Sequence, residues 1–195
     1  MSLRSTLSIS NRLVWTLFVA GLTLVGAPKV SVAGQNVTPG AAAAAEKAAF
    51  IADLDVMRGK YIGLANAFPA DKYTWRPMEG VRSVSEVLML IVSECYGFAP
   101  TSLGGKAGMS REESAKLNGI TDKAQIVDHL TKGFAYARQA LEAIDPATLV
   151  GKRRAMGQER STPEIILFVD GDMHEHLGQL IAYARMNHIV PPWSK

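Results

Sequence analysis

One cysteine, Cys95, stands in a chain of 195 residues. No intramolecular disulfide can form, so an oxidising compartment adds nothing to this fold by that route. Cys95 lies on an apolar helical face and reads as a buried small hydrophobe, not a nucleophile. Strand signals are also missing: no stretch alternates apolar and polar residues around a hairpin turn. There is no phosphate-binding glycine loop and no serine-nucleophile motif. Charge of one sign is scarce once the N-terminus is set aside. The whole chain carries 21 Lys and Arg against 18 Asp and Glu. Arg4, Arg12 and Lys29 fall in the first 33 residues, which hold no acid, so the remainder is balanced. That argues against a nucleic-acid partner, which needs a basic face. The one basic run, Lys152-Arg153-Arg154, reads as part of a solvated loop from Leu149 to Arg160.

Residues 1–33 read as a secretory signal peptide. Arg4 and Arg12 precede an apolar run from Leu13 to Val25, and Ser31-Val32-Ala33 is a small-x-small cleavage signature. The run falls short of the roughly 20 residues that span a bilayer. Stable membrane insertion after cleavage is therefore not expected, and no lipidated cysteine follows. The predicted location is secreted or periplasmic. Residues 34–43 read as a flexible linker and 44–195 as one domain, with 48% apolar content across the chain to supply a core.

Four helices are predicted. The first runs from Ala44 to Phe68, with Phe50, Leu54, Met57, Tyr61, Leu64 and Phe68 at steps of three and four. Pro69 to Arg82 is a loop, in which Trp75 covers one end of the core or lines a ligand pocket. Ser83-Val-Ser-Glu86 is a capping box that opens the second helix, to about Ala99. Its inward stripe is Val84, Val87, Leu88, Ile91, Cys95 and Phe98. A long Gly- and Ser-rich connection follows, with a short helix from Ser110 to Leu117. Thr121 caps the third helix, to about Ile144, with Ile126, Leu130, Phe134, Ala137 and Leu141 inward. His129 reads as a structural histidine at the edge of that stripe. Ser161-Thr-Pro-Glu164 opens the fourth helix. Asn187 supplies a left-handed cap, and Pro191-Pro192 prevents continuation. These features predict an all-α four-helix bundle with long loops after helices one and two, long enough for crossovers.

The fourth helix concentrates the chemistry. His174, His176 and His188 are three of the four histidines, and Asp172 and Glu175 lie among them. Centred on Met173, a stripe of Ile166, Val169, Leu177, Leu180 and Ala184 faces the core. Asp172 and His176 are four apart and share one flank of that stripe, beside Ile165 and Tyr183. Asp170 and His174 share the other flank. Polar groups at the edge of a buried stripe are costly to desolvate, which marks this helix as the carrier of a site.

Three segments, taken together, resemble the DinB-like family, the damage-inducible or YfiT-type four-helix bundles. They are Trp75-Arg76-Pro77 with Gly80, Ser83-Val-Ser-Glu-Val-Leu-Met-Leu90, and His176-Leu-Gly-Gln-Leu-Ile-Ala-Tyr-Ala-Arg185 leading to Ile189-Val-Pro-Pro192. The similarity spans nearly the whole mature chain. It implies a divalent metal held by three histidines, one on the second helix and two spaced four apart on the last. Carried over by position, those ligands fall at Leu90, Asp172 and His176. Only His176 is intact, Asp172 offers an oxygen, and Leu90 offers nothing. Glu94, one turn after Leu90, is the nearest replacement.

The expected metal set is therefore Asp172, His176 and Glu94, with Leu90, Trp75, Tyr183 and His174 as pocket residues. Zn, Ni, Fe or Mn would suit such donors, weakly held. Two functions stay open. One is a non-catalytic bundle with a degenerate metal site that binds a small molecule or protein. The other is a metal-dependent transferase of the thiol type, or a hydrolase, acting on a small molecule. A homodimer is left open.

Overall fold

The computed structural model describes residues 37–194. The predicted signal peptide and the start of the predicted linker lie outside them. No helix among the described residues is long and apolar enough to cross a membrane. The chain is mostly helical: α1 (Pro39–Ala67), α2 (Val84–Tyr96), α3 (Phe98–Ser102), α4 (Arg111–Leu117), α5 (Lys123–Glu142) and α6 (Thr162–Met186). Short 3₁₀ turns at Ala70–Lys72 and Pro146–Leu149 complete the helical part. The four predicted helices correspond to α1, α2, α5 and α6.

Four boundaries move, each for a local reason. Helix α1 starts at Pro39, inside the expected linker, because the Thr38 side chain accepts from the Ala41 N–H and Pro39 takes a first-turn position. The alanines that follow are the best helix formers and carry it on. Helix α2 stops at Gly97, whose φ of −122° and ψ of −74° are not helical, so Phe98 opens α3 instead of closing the α2 stripe. Helix α5 is capped by Asp122, which accepts from the Gln125 N–H, and not by Thr121. At the end of α6, Asn187 keeps φ at −98° and His188 takes the left-handed place at φ 59°. The Ile189 N–H then bonds the Ala184 carbonyl at 2.8 Å and the His188 N–H bonds Arg185 at 3.0 Å, a Schellman closure.

The segment expected to be a basic loop contains a hairpin. Strands β1 (Lys152–Ala155) and β2 (Gln158–Ser161) pair antiparallel, Ala155 opposite Gln158. Met156 and Gly157 make the turn with φ of 50° and 78°, the double positive pattern of a type I′ hairpin. Arg153 ties it to the core by donating to the Leu103 carbonyl at 2.9 Å.

The predicted inward stripes of α1 and α5 are buried throughout. Helix α1 packs against α5 and α6, and α2 packs against the same two helices. Helices α1 and α2, adjacent in sequence, are thus not main packing partners, nor are α5 and α6. The long connections that the sequence displays are what this crossing requires. Lysines hold the antiparallel α1–α5 pair at both ends. Lys47 donates to the Glu142 and Ile144 carbonyls at 3.1 and 2.6 Å, and Lys123 donates to those of Asn66 and Phe68 at 2.8 Å each. Each lysine thereby serves orphan carbonyls at its partner's C-terminus. The α3–α4 connection is pinned where Tyr136 lies against Gly108. A β-carbon there would sit 2.4 Å from the ring, so no other residue fits without displacement.

Candidate metal centre

Helix α2 brings Glu94 to α6 because Glu94 follows the buried run Val87, Leu88, Ile91 and Val92 on a helix covered on more than one side. Glu94 is 7% exposed, the one buried charged residue among the described residues. Helix α6 presents Asp172 and His176 one turn apart on the flank that faces it. One donor atom from each of Glu94, Asp172 and His176 lies within 4.8 Å of the others. His176 Nε2 is 3.9 Å from Glu94 Oε1.

The imidazole is oriented from behind. Tyr183, which is buried, donates from its hydroxyl to the Arg82 carbonyl at 3.0 Å. That hydroxyl must then accept from Gln179 Nε2, 2.8 Å away. Gln179 Oε1 is left to accept from His176 Nδ1 at 3.2 Å. The neutral ring therefore carries its proton on Nδ1 and turns the Nε2 lone pair toward Glu94. This is the back-side hydrogen bonding that fixes the tautomer of a metal-binding histidine.

The carboxylates are uneasy without a cation. Glu94 Oε2 is shut off from solvent and has no hydrogen-bond partner. Burial first, then the negative charge of Asp172 and a hydrogen bond shared with it, push the Glu94 carboxyl up to about 8, against a smaller opposing pull from Arg82. Burial also raises the Tyr61 hydroxyl, with Glu94, Cys95 and Asp172 adding to it. Of the three, only Asp172 also lines a cavity of 430 Å³, with Arg160, Phe168 and Glu175. A divalent cation fits this donor set: an imidazole nitrogen and two carboxylates, one with an unused buried oxygen.

The other expected residues separate. Leu90 is half-buried and lines a different cavity, beside Arg82. Trp75 does not line that cavity; it is half-buried and meets the Tyr183 ring edge-on at 5.4 Å. Tyr183 stands behind His176, in the chain of bonds that orients it. His174 belongs to a second group on the opposite flank of α6, with Asp170 and with Asp53 of α1. Its Nε2 is 2.6 Å from Asp53 Oδ2, and both side chains are more than one-third exposed. Burial and the Asp53 charge raise the Asp170 carboxyl, which His174 partly offsets. His129 is half-buried and joins neither group. Cys95 is fully buried, and burial raises its thiol well above the ordinary range, which removes it as a nucleophile.

Periodicity places Tyr183 on the Asp172–His176 flank, but it does not reveal Asp53, nor Gln179 and Arg82, through which Tyr183 acts in the relay. Asp53 falls outside the α1 core stripe, and the relay closes through a backbone carbonyl. Compared with known proteins, the chain matches no family model and no curated sequence.

Proposed function

We propose that the chain is a DinB-like four-helix bundle of the extracytoplasmic space whose Glu94, Asp172 and His176 hold one divalent cation. The observation that carries this is Glu94 Oε2, an unpartnered carboxylate oxygen buried beside a second carboxylate and an imidazole lone pair. An uncompensated buried carboxylate costs several kcal/mol unless it is protonated or paired with a cation. The main role is binding: the bundle holds a cation and a small molecule without turning it over.

A second reading, a metal-dependent transferase or hydrolase, is favoured by the donor count. Three protein ligands are the usual number where a catalytic zinc keeps an open position. Bound there, a cation would act as a Lewis acid on a substrate oxygen or sulfur. The chain's own parts in that reading are limited and specific. His176 Nε2 is presented by the Gln179–Tyr183 relay. Glu94 gives up its proton on loading. Val92, two residues before Glu94, and Met173, next to Asp172, are both fully buried.

The test is calorimetric titration of zinc and nickel into wild type, His176→Ala, Asp172→Asn and His174→Ala. One equivalent should bind to wild type and His174→Ala, and His176→Ala should abolish it. No binding to wild type would overturn the proposal. Undiminished binding by His176→Ala, lost instead in His174→Ala, would move the site to Asp53, Asp170 and His174.

A further inference from the structure

A cavity of 650 Å³ opens between the loop before α2, helix α2 and helix α4. Three of its lining residues are arginines, Arg76, Arg82 and Arg111, and one is an acid, Glu86. Glu86 is already committed on both oxygens. Oε1 accepts from Arg76 at 3.1 Å, and Oε2 accepts from the Ser83 N–H at 2.7 Å in the helix cap. Arg82 and Arg111 have no carboxylate within salt-bridge distance among the described residues. Two guanidinium groups without an ion-pair partner among the described residues thus line one concavity.

The remaining wall narrows the class of ligand. Leu90, Val81 and Ala115 are apolar. Ser93 and Ser114 share a 2.5 Å hydrogen bond that joins α2 to α4, so the cavity is built before any ligand arrives. Its volume lies in the range of small-molecule pockets. A patch of two such arginines on a chain with balanced mature charge is too small for nucleic acid. An inorganic anion would leave the apolar wall unused. Guanidinium groups recognise carboxylates by paired N–H donors, and two of them suit two such groups.

We propose that this cavity binds a small organic dianion with a short hydrocarbon centre, of the aliphatic dicarboxylate class, through Arg82 and Arg111. The inference goes beyond the cation site and does not depend on it. The two sites are neighbours, since Leu90 lies one turn before Glu94 on α2.

Calorimetry at low ionic strength tests this with succinate, glutarate and adipate as probes, the neutral glutaramide as control and inorganic phosphate as competitor. Wild type should bind one equivalent of at least one diacid, with no heat from glutaramide. Arg82→Ala and Arg111→Ala should each weaken it tenfold or more, and Arg82→Lys should fall between. Both side chains are exposed. The Arg82 carbonyl that Tyr183 uses survives substitution, so unchanged melting temperatures are expected. His176→Ala should bind the diacid as wild type does, and Arg111→Ala should bind zinc normally, which separates this inference from the cation proposal. No binding of any diacid, equal binding by the arginine variants, or phosphate bound as tightly as the diacid would each overturn it.

Discussion

The Tyr61 hydroxyl of α1 donates to the Met173 carbonyl of α6 at 2.5 Å, inside the core. Met173 sits between Asp172 and His174, so this bond helps set the rotation of α6 that sends the two polar flanks to opposite sides. Tyr61→Phe removes the bond and leaves the ring packing in place. The expected loss is about 1 kcal/mol, read as a lower urea midpoint at unchanged slope. Zinc affinity should fall with it. A stability equal to wild type would mean that the bond does not hold the helix.

Glu94 makes stability depend on pH. Its carboxyl is raised from 4.5 to about 8 in the folded chain. Between those values the folded state keeps a proton that the unfolded state has released. Folding therefore binds protons, and stability falls as pH rises through that window. The metal-free protein should melt lower at pH 8 than at pH 5, by on the order of 5 °C for a domain of this size, and Glu94→Gln should flatten the slope. Calorimetric melting in chelator checks it; identical slopes in both proteins would remove Glu94 as the cause. Cation affinity should run the opposite way, rising from pH 5 to 8 as the proton becomes easier to displace.

Leu90→His places an imidazole one turn before Glu94. Zinc affinity should rise by about tenfold as a fourth donor joins the set, measured by competition with a chelating dye. Unchanged affinity would show that position 90 faces only the arginine cavity and that the ligand pattern of the resemblance does not transfer.

His188 is an exposed non-glycine residue at φ 59°. His188→Gly relieves a left-handed conformation that costs about 1–2 kcal/mol, less the greater freedom of glycine when unfolded. A gain of about 0.5–1 kcal/mol is expected, seen as a higher melting temperature. A fall would mean that the imidazole has a role at the end of α6.

What the sequence reveals and conceals follows from the range of each signal. Ser83 with Glu86 and Ser161 with Glu164 are local pairs, and both form as read. The core stripes of α1 and α5 are set by period alone. Glu94 is found by its turn spacing from Leu90, because a helix makes that neighbour predictable. The β1–β2 hairpin is hidden because its turn begins with Met156, where asparagine or aspartate is the usual sign, and its strands are mostly charged. Arg82 and Arg111 are far apart in sequence, and only the packing of α4 against α2 makes them neighbours. His174 looks like a partner of His176 in one dimension, yet two residues along a helix is about half a turn.

The lysine contacts at the two ends of the α1–α5 pair work as a length gauge. Lys47 to Asn66 and Lys123 to Glu142 count the same number of residues, so the two helices match turn for turn. An insertion inside one span pushes its carbonyl end past the opposing ammonium group unless the other span grows equally. Homologous chains that keep both lysines should vary in the loops and hairpin, and change the lengths of α1 and α5 only together.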